Sequence, residues 1–215
     1  MKKQLIAMVS ALAMTFASLP CVSIAAENVP KPVLQYTFDG NKQLADQNGK
    51  NELKLSGDAS VTDDGNKGKG LLLDGTDGYA ELPDNILSSD MTITTWVKIN
   101  KFTTWGRVFD FGTDSNQNFF FAPYSGGASR VEIKNGATVD TMDCTQETAK
   151  DWVNYAITIK GDTVSYYRNG RLIKSKSGIK DISELTNTAN YIGKSHYDGD
   201  AYLSAVVDDF RVYNT

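Results

Sequence analysis

The sequence predicts an all-β protein built as a two-sheet antiparallel sandwich. About twelve short segments rich in Val, Ile, Thr, Tyr and Phe are bounded by Gly, Asn, Asp or Pro, which is the pattern of strands and turns. No segment keeps a helical period, and only residues 182–185 suit a single helical turn. Asn169-Gly170 separates two of the segments and predicts a two-residue hairpin, because both turn positions need positive φ.

The predicted strands are short and evenly spaced, as in sandwiches and barrels. They cover residues 33–38, 70–74, 79–82, 91–99, 107–111, 119–122, 130–134, 153–159, 163–168, 171–174, 190–192 and 205–213. In the 91–99 strand the odd positions are mainly apolar, so Trp96 points to the opposite face from Met91 and Ile93. We therefore expect the odd positions of this strand to face the core.

Length and charge exclude several function classes. The 215 residues suit one domain that buries a core without disulfide staples. Lys and Arg number 22 against 26 Asp and Glu, which gives a net charge of −4. The first 25 residues hold two lysines and no acidic residue, so their removal shifts the net charge from −4 to −6. An acidic chain without a basic cluster lacks the electrostatic footprint of a nucleic-acid binder.

The first 25 residues have the pattern of a secretory signal peptide. Two lysines precede a run without charge that ends at Pro20, and small residues follow at the expected cleavage point after Ala25 or Ala26. The apolar run is shorter than the ~20 residues that span a membrane. We expect a signal peptide at 1–25, a short leader at 26–32, one domain at 33–215, and a secreted location, with the periplasm or cell surface as alternatives.

Nine short motifs follow one another in an order that is recognisable. They are Tyr36-Thr-Phe-Asp39, Gly68-Lys-Gly-Leu-Leu-Leu-Asp-Gly75, Asp77-Gly-Tyr-Ala-Glu-Leu-Pro83, Met91-Thr-Ile-Thr-Thr-Trp-Val-Lys98, Arg107-Val-Phe-Asp-Phe-Gly112, Trp152-Val-Asn-Tyr-Ala156, Tyr167-Arg-Asn-Gly170, Tyr191-Ile-Gly-Lys-Ser195 and Asp208-Asp-Phe-Arg-Val-Tyr-Asn214. Together they resemble the laminin G-like, concanavalin A-like lectin/glucanase domains of bacterial secreted carbohydrate-active proteins. The resemblance implies a jelly-roll sandwich, often with a structural calcium ion, that is attached to or acts beside glycosidases.

Two departures from the family pattern are visible. The family often has His two residues after the position of Trp152, where this chain has Asn154. It usually continues past Asn214 into a short acidic tail, whereas this chain stops at Thr215. We read the second departure as the mark of a piece of a longer protein.

A glycosidase on this fold would need two carboxylates at close spacing. None of the six glutamates has an Asp or Glu two positions further on, and the only such pair is Asp198 and Asp200 around Gly199. One His and, after cleavage, the single Cys144 leave no usual zinc ligand set. The sequence thus favours a non-enzyme, with carboxylates from separate strands as the remaining route to a hydrolase.

Calcium prefers several oxygen ligands, and the chain offers acidic residues at its strand ends. Asp39 lies near the start of the fold and Asp208 near its end. First and last strands lie together in related sandwiches, so we expect one calcium ion to join Asp39 and Asp208. Asp74 and Asp77 are the weaker alternative, and solvated aspartates without metal are the other.

Sugar sites pair flat aromatic rings with planar hydrogen-bonding groups. Trp105 is the tryptophan expected to be most exposed, whereas Trp152 is expected in the core and Trp96 is left undecided. We expect Trp105, Arg107, Tyr124 and His196 to contact one sugar site, with Tyr197 completing an aromatic rim. Buried Arg107 would need a bulge or another strand's carboxylate for a partner, because ideal strand parity puts Asp110 on the other face.

The sequence therefore predicts an exported, calcium-stabilised, non-catalytic carbohydrate-binding module for a polysaccharide or oligosaccharide. An attached or co-secreted glycosidase is the expected partner, and no nucleic acid or membrane span is expected. A protein-interaction or adhesion domain and a glycoside hydrolase with an atypical carboxylate pair are the alternatives.

Overall fold

The computed structural model describes residues 30–215, so the predicted signal peptide lies outside the described residues. Fifteen strands and one 3-10 turn, Ile182–Glu184, make up the regular structure of residues 30–215. In chain order the strands are β1 Leu34–Tyr36, β2 Lys54–Ser56, β3 Ser60–Thr62, β4 Gly70–Asp74, β5 Tyr79–Leu82, β6 Met91–Lys101, β7 Phe109–Asp114, β8 Gln117–Ala122, β9 Ala128–Asn135, β10 Thr138–Thr145, β11 Val153–Lys160, β12 Thr163–Arg168, β13 Arg171–Ser177, β14 Ala189–Ile192 and β15 Ser204–Tyr213.

The strands form two antiparallel sheets, which confirms the predicted all-β sandwich. One sheet has eight strands in the order β13-β12-β11-β6-β15-β4-β3, with β1 added to β15, and the other has seven in the order β10-β9-β8-β7-β14-β5-β2. Neighbours such as β6 and β15 are far apart in the chain, so long-range pairing builds the sheets. No helix within residues 30–215 is long and apolar enough to cross a membrane.

The core lies between the two sheets, and strands such as β6 and β11 contribute alternate residues to it. In β6, Met91, Ile93, Val97 and Ile99 are buried, while the intervening residues, including Trp96, are half-buried on the outer face. This is the alternation that period-two patterning predicts. The face assigned to Trp96 from the sequence is therefore confirmed.

The last strand carries a bulge that connects the two ends of the fold. Residues 204–207 of β15 pair with β4, the register shifts after Asp208, and Phe210 to Val212 pair with β1. Asp209 has a φ of 47°, a left-handed conformation that allows the strand to bend at this point. The bulge leaves Asp208 beside the segments that follow β1 and precede β4.

Sequence patterning found twelve of the strands and missed three. Strands β2 and β3 have three residues each, which is too short for a periodic signal. Strand β10 is an edge strand in which only Met142 is buried, so its alternation is weak. The hairpin at Asn169-Gly170 is confirmed, since both residues have positive φ and Arg168 pairs with Arg171.

Candidate functional site

A depression of about 280 Å³ opens on the outer face of the seven-stranded sheet. Strands β8 and β9 form its floor, because their core positions alternate with residues that point outward. The turn at residues 103–106 and the loop at residues 194–200 form its walls. Its lining combines aromatic rings with two arginines and two carboxylates, namely Trp105, Arg107, Phe120, Arg130, Glu132, Tyr197 and Asp200.

Arg107 lies at the base of this depression and is only 2% exposed. It donates from Nη1 to the carbonyl oxygen of Trp105 (3.0 Å) and from Nη2 to Asp200 Oδ2 (2.8 Å). Its Nε is 3.6 Å from Asp110 Oδ2. Burial lowers the pKa of the Arg107 guanidinium, while the charges of Asp110 and Asp200 act in the opposite direction. The guanidinium is thus a fixed, planar group with two carboxylate partners.

The pairing of Arg107 with Asp110 resolves the parity problem in the sequence. Strand β7 begins only at Phe109, so Arg107 lies in irregular backbone. The rule that successive strand residues point to opposite faces therefore does not apply to Arg107. The Asp200 carboxylate arrives from the 194–200 loop, 93 positions away. Neither expected route is used as stated, because Arg107 precedes the strand without a bulge and its second carboxylate comes from a loop and not from another strand.

The 194–200 loop is held onto the sheet by the fully buried carboxylate of Asp110. Asp110 Oδ2 accepts from the backbone N–H of His196 (3.0 Å), and Oδ1 is 2.8 Å from His196 Nδ1. Within the loop, Ser195 Oγ donates to Asp200 Oδ2 (2.8 Å) and accepts from the backbone N–H of Tyr197 (3.0 Å). These bonds fix the positions of Tyr197 and Asp200 in the wall of the depression.

The opposite side of the depression is built on Arg130 of β9. Its guanidinium carbon is 5.1 Å from the Trp105 ring centroid, and its Nε and Nη2 bind Asp143 at 2.6 and 2.9 Å. Glu132 lies two residues further along the same face and accepts from Thr141 Oγ1 at 3.3 Å. The Arg130 guanidinium therefore makes a cation–π contact with the indole ring of Trp105.

Trp105 is half-buried and has a φ of 66° in the turn at residues 103–106. A left-handed conformation is uncommon for a bulky residue, and it is maintained here by two backbone hydrogen bonds. The N–H of Trp105 donates to the carbonyl oxygen of Tyr124 (2.9 Å), and the N–H of Gly106 donates to the carbonyl oxygen of Thr103 (3.1 Å). The turn directs the indole ring over Arg107 and Arg130.

The structure brings together only part of the predicted site. Trp105 and Arg107 line the depression, and Tyr197 lines it as part of the expected rim. The Tyr124 ring lines a separate depression with Phe102. The His196 side chain, expected in a loop, is 4% exposed and packs against Tyr191 at 5.0 Å between ring centroids. His196 thus lies behind the wall of the depression.

Sequence reasoning missed Phe120, Arg130, Glu132 and Asp200 as lining residues. Arg130 and Glu132 share a face of a predicted strand, and this parity is a signal that was available. Asp200 was noted only as half of a carboxylate pair. Its partner Arg107 could not be read from local sequence, because the contact is made by chain folding.

Trp152 is not in the core, so that expectation is wrong. It precedes β11 and is half-buried, with Lys98 Nζ 5.4 Å from its ring centroid. Val97 and Val153 pair across β6 and β11 and face inward, so their neighbours Lys98 and Trp152 face outward. The strand parity that places Trp96 outside places Trp152 outside as well.

A larger depression, of about 520 Å³, lies at the other end of the same sheet. Tyr191 is the aromatic residue in its mainly polar lining. The Tyr191 ring already contacts Lys194 Nζ (4.6 Å) and the His196 ring (5.0 Å). The smaller depression is lined by three aromatic residues and the larger one by Tyr191 alone, so we regard the smaller depression as the better stacking site for a ligand.

Asp39 and Asp208, the predicted calcium ligands, lie near each other at the bulge of β15. Asp208 Oδ2 accepts from the N–H of Lys67 (3.0 Å), and Asp39 Oδ1 accepts from that of Lys69 (2.9 Å). Burial raises the pKa of the Asp208 carboxyl, and the negative charges of Asp209 and Asp39 raise it further. In the part of the chain that the structure describes, neither Asp39 nor Asp208 pairs with a basic side chain. Backbone N–H groups occupy both Asp208 oxygens and one Asp39 oxygen, and calcium takes six to eight oxygen ligands, so the calcium site stays a prediction.

A second acidic group includes the weaker pair named from the sequence. Carboxylate oxygens of Asp58, Asp74 and Asp77 lie within 4.8 Å of one another. Burial opposes ionisation of Asp74, but hydrogen bonds from Thr76 and Gly78 hold its pKa at about 2. Backbone N–H groups already occupy part of this oxygen set, since Asp77 Oδ1 accepts from Asp58 and Asp74 Oδ1 from Gly78.

Comparison with known families identifies the fold family. A model described as the concanavalin A-like lectin/glucanases superfamily matches residues 74–215. The chain belongs to this superfamily. This confirms the resemblance seen in the sequence motifs, and the two-sheet sandwich is the architecture expected of a concanavalin A-like domain.

The chain is similar to an arabinofuranosidase in sequence, and to an arabinanase domain and a neurotoxin in fold. The chain is 28% identical over 198 residues to an alpha-L-arabinofuranosidase of Bifidobacterium longum subsp. longum, covering 80% of this chain and 18% of that protein. It thus spans less than a fifth of the relative's length. Domain 4 of AbnA, a GH43 extracellular arabinanase from Geobacillus stearothermophilus, solved in complex with arabinotriose, has a TM-score of 0.74 at 22% identity over 86% of this chain and 92% of that domain. A botulinum neurotoxin type C structure has a TM-score of 0.68 at 16% identity over 86% of this chain and 48% of that one.

Proposed function

We propose that this chain is a non-catalytic carbohydrate-binding module for a neutral, arabinose-containing polysaccharide. The observation that carries the proposal is the depression at Arg107, which joins aromatic rings to fixed planar donors and acceptors. Trp105 and Tyr197 supply ring surface, and Arg107, Arg130, Glu132 and Asp200 supply hydrogen-bonding groups. This is the combination that sugar hydroxyls and C–H faces require.

The charge of the lining favours a neutral sugar. The lining contains two arginines and two carboxylates, so its charges balance. Arg107 pairs with Asp200, and Arg130 pairs with Glu132 and with Asp143 nearby. A site for a phosphate or a uronic acid would instead present unpaired cations. The balanced set leaves polar atoms for hydroxyl groups without a net field for an ion.

The class of sugar is drawn from the relatives. The arabinofuranosidase and the arabinanase domain are both named for arabinose-containing substrates, and the domain was solved with arabinotriose. We infer that this chain acts as an exported module beside such a glycosidase, either attached to it or secreted with it. The secretory pattern of the first 25 residues supports export.

A binding role suits the carboxylates better than hydrolysis does. A glycosidase needs a protonated carboxyl in apolar surroundings beside an ionised one. Asp200 instead faces the Arg107 guanidinium, and Glu132 accepts from Thr141 and lies 3.5 Å from Arg130 Nη1. Each carboxylate therefore lies beside an arginine, which favours its ionised form and not the protonated form that a general acid needs.

We also propose that calcium joins Asp39 and Asp208 as a structural ion. The ion would neutralise the two carboxylates and link the segment after β1 to the bulge of β15. Its role is to stabilise the fold, since the sugar depression is lined by other residues.

The test is titration of the purified chain with linear arabinan and arabino-oligosaccharides by calorimetry, with cellulose and a polygalacturonate as matched controls. We expect binding to the arabinose-containing ligands and no reducing sugar released on prolonged incubation. Release of reducing sugar would make the chain a hydrolase. Absence of binding to every glycan would favour the protein-interaction or adhesion alternative.

A further inference from the structure

A second depression lies on the other side of the turn at residues 103–106. It has a volume of about 320 Å³, which falls in the range of small-ligand sites. Phe102, Tyr124, Gln146, Glu147 and Thr148 line it. None of these residues lines the depression at Arg107.

One wall of the second depression is aromatic. The rings of Phe102 and Tyr124 are 5.8 Å apart between centroids and tilted by 56°. Phe102 is partly buried and packs against the hydrophobic core, which fixes its position. Tyr124 is half-buried, so part of its ring surface remains available for a ligand. This wall supplies a stacking surface of the kind that sugar rings contact.

The opposite wall is the segment of residues 146–148, which is held rigidly by Glu147. Glu147 is only 2% exposed. Its Oε1 accepts from the N–H groups of Thr148 and Ala149, each at 2.8 Å. The same oxygen is 2.9 Å from Arg168 Nη2, and Oε2 accepts from Tyr155 Oη at 3.0 Å. The Gln146 amide and the Thr148 hydroxyl are thereby set on a fixed backbone, which lowers the entropy lost on binding.

The two depressions adjoin through the backbone. The Trp105 N–H donates to the carbonyl oxygen of Tyr124 at 2.9 Å, so the two aromatic residues flank one hydrogen bond. The Glu147 N–H donates to the carbonyl oxygen of Pro123 at 3.1 Å, which attaches the far wall to the same segment. The backbone segments that carry Trp105 and Tyr124 are therefore adjacent.

We propose that the depression at Tyr124 is a second sugar subsite, which binds further residues of the same neutral polysaccharide chain. The ligand crosses the turn at residues 103–106 and rests on both aromatic walls. Once one end of the oligosaccharide occupies the first subsite, its other end binds the second subsite without a further loss of translational freedom. Affinity therefore rises with the length of the oligosaccharide. The inference rests on the proposed function and adds the direction and extent of the bound chain.

The experiment measures affinity by calorimetry for arabino-oligosaccharides from two to six residues. For the unaltered chain we expect affinity to rise with length and then to level off. For Tyr124→Ala we expect unchanged binding of the disaccharide and about tenfold weaker binding of the longest oligosaccharide, by analogy with the loss of other aromatic contacts. Tyr124→Phe keeps the ring and should behave like the unaltered chain.

Two controls keep the result interpretable. Tyr213→Ala removes a tyrosine outside both depressions and should bind every length normally. Gln146→Ala tests the opposite wall if Tyr124→Ala does not fold, and it should likewise weaken only the longer ligands. Melting temperatures are recorded for each variant.

The outcomes separate this inference from the proposed function. If Tyr124→Ala and Gln146→Ala bind all lengths normally while Trp105→Ala weakens all of them, the second subsite is wrong and the module remains. If Tyr124→Ala weakens the disaccharide as much as the hexasaccharide, the two depressions form a single site and the inference is also wrong. If the unaltered chain binds no oligosaccharide, the proposed function itself fails.

Discussion

The guanidinium carbon of Arg107 lies 3.7 Å from the centroid of the Phe120 ring and 5.2 Å from the centroid of the Trp105 ring. An arginine buried to this extent is retained only where its charge is paired and its plane is stacked. Asp200 supplies the closest pairing and Phe120 the stacking surface. The contact converts a charge that is costly to bury into a rigid floor for the depression.

The first prediction concerns that buried charge. Arg107→Ala removes the cation beside Asp110 and Asp200 and leaves them only the contacts with His196 and Ser195, and breaking a buried pair from one side costs about 3–5 kcal/mol. We expect the free energy of unfolding in urea to fall by that amount. Arg107→Lys keeps the charge but loses the planar fork, so it should recover only part of the loss. Arg171→Ala, at the exposed hairpin, is the control and should leave the unfolding curve unchanged.

The second prediction distinguishes the roles of two of the three half-buried tryptophans, Trp105 and Trp152. Trp105→Ala should weaken arabino-oligosaccharide binding about tenfold or more, because a stacked aromatic contributes ~1–2 kcal/mol. Trp152→Ala should leave binding unchanged, since its ring lies beside Lys98 on the outer face of the other sheet. Affinity and melting temperature are measured for both variants. Normal binding by Trp105→Ala together with early melting would assign Trp105 to structure and move the sugar site elsewhere.

The third prediction concerns calcium. An ion that binds only the folded state at a hundredfold excess over Kd stabilises it by about 2.7 kcal/mol. EDTA should therefore lower the melting temperature, and calcium rather than magnesium should restore it. Asp208→Asn should abolish this response, whereas Asp77→Asn should keep it. The reverse result would assign the ion to the group of Asp58, Asp74 and Asp77. An unchanged melting temperature after EDTA treatment that is shown to leave the protein metal-free, with no rise on addition of calcium, would contradict a structural calcium ion.

The fourth prediction concerns the single thiol of the described residues, Cys144 of β10. It is half-buried at the edge of the core, and burial raises the pKa of its thiol. Since the thiolate is the reactive form, we expect slow modification by a thiol reagent at pH 8. Unfolding in urea should accelerate the reaction, because it exposes the thiol and restores its ordinary pKa. Equal rates in the folded and unfolded states would show that the thiol is fully exposed.

Local patterning accounts for the elements that the sequence predicted well. The alternation in β6, the turn at Asn169-Gly170 and the 3-10 turn at Ile182–Glu184 each depend on residues within a few positions of one another. Strands β2 and β3 escaped because three residues carry no period. The expectation that Trp152 is buried failed because it came from a family position, although the parity of β11 indicated the outer face.

The sequence by itself determined the class of fold, the family and the kinds of side chain available for a sugar. The fold class follows from alternation and turn residues, which are short-range properties of the chain, and the family follows from the order of the motifs along it. Only the tertiary structure decided which of those side chains meet. Arg107 pairs with Asp200, which is 93 positions away in the chain. The Trp105 and Tyr124 rings line separate depressions, although the backbones of the two residues share a hydrogen bond. The His196 side chain points inward and contacts Asp110. Such contacts depend on strand order and loop closure, and in a sandwich these are set by long-range pairing that no local pattern encodes.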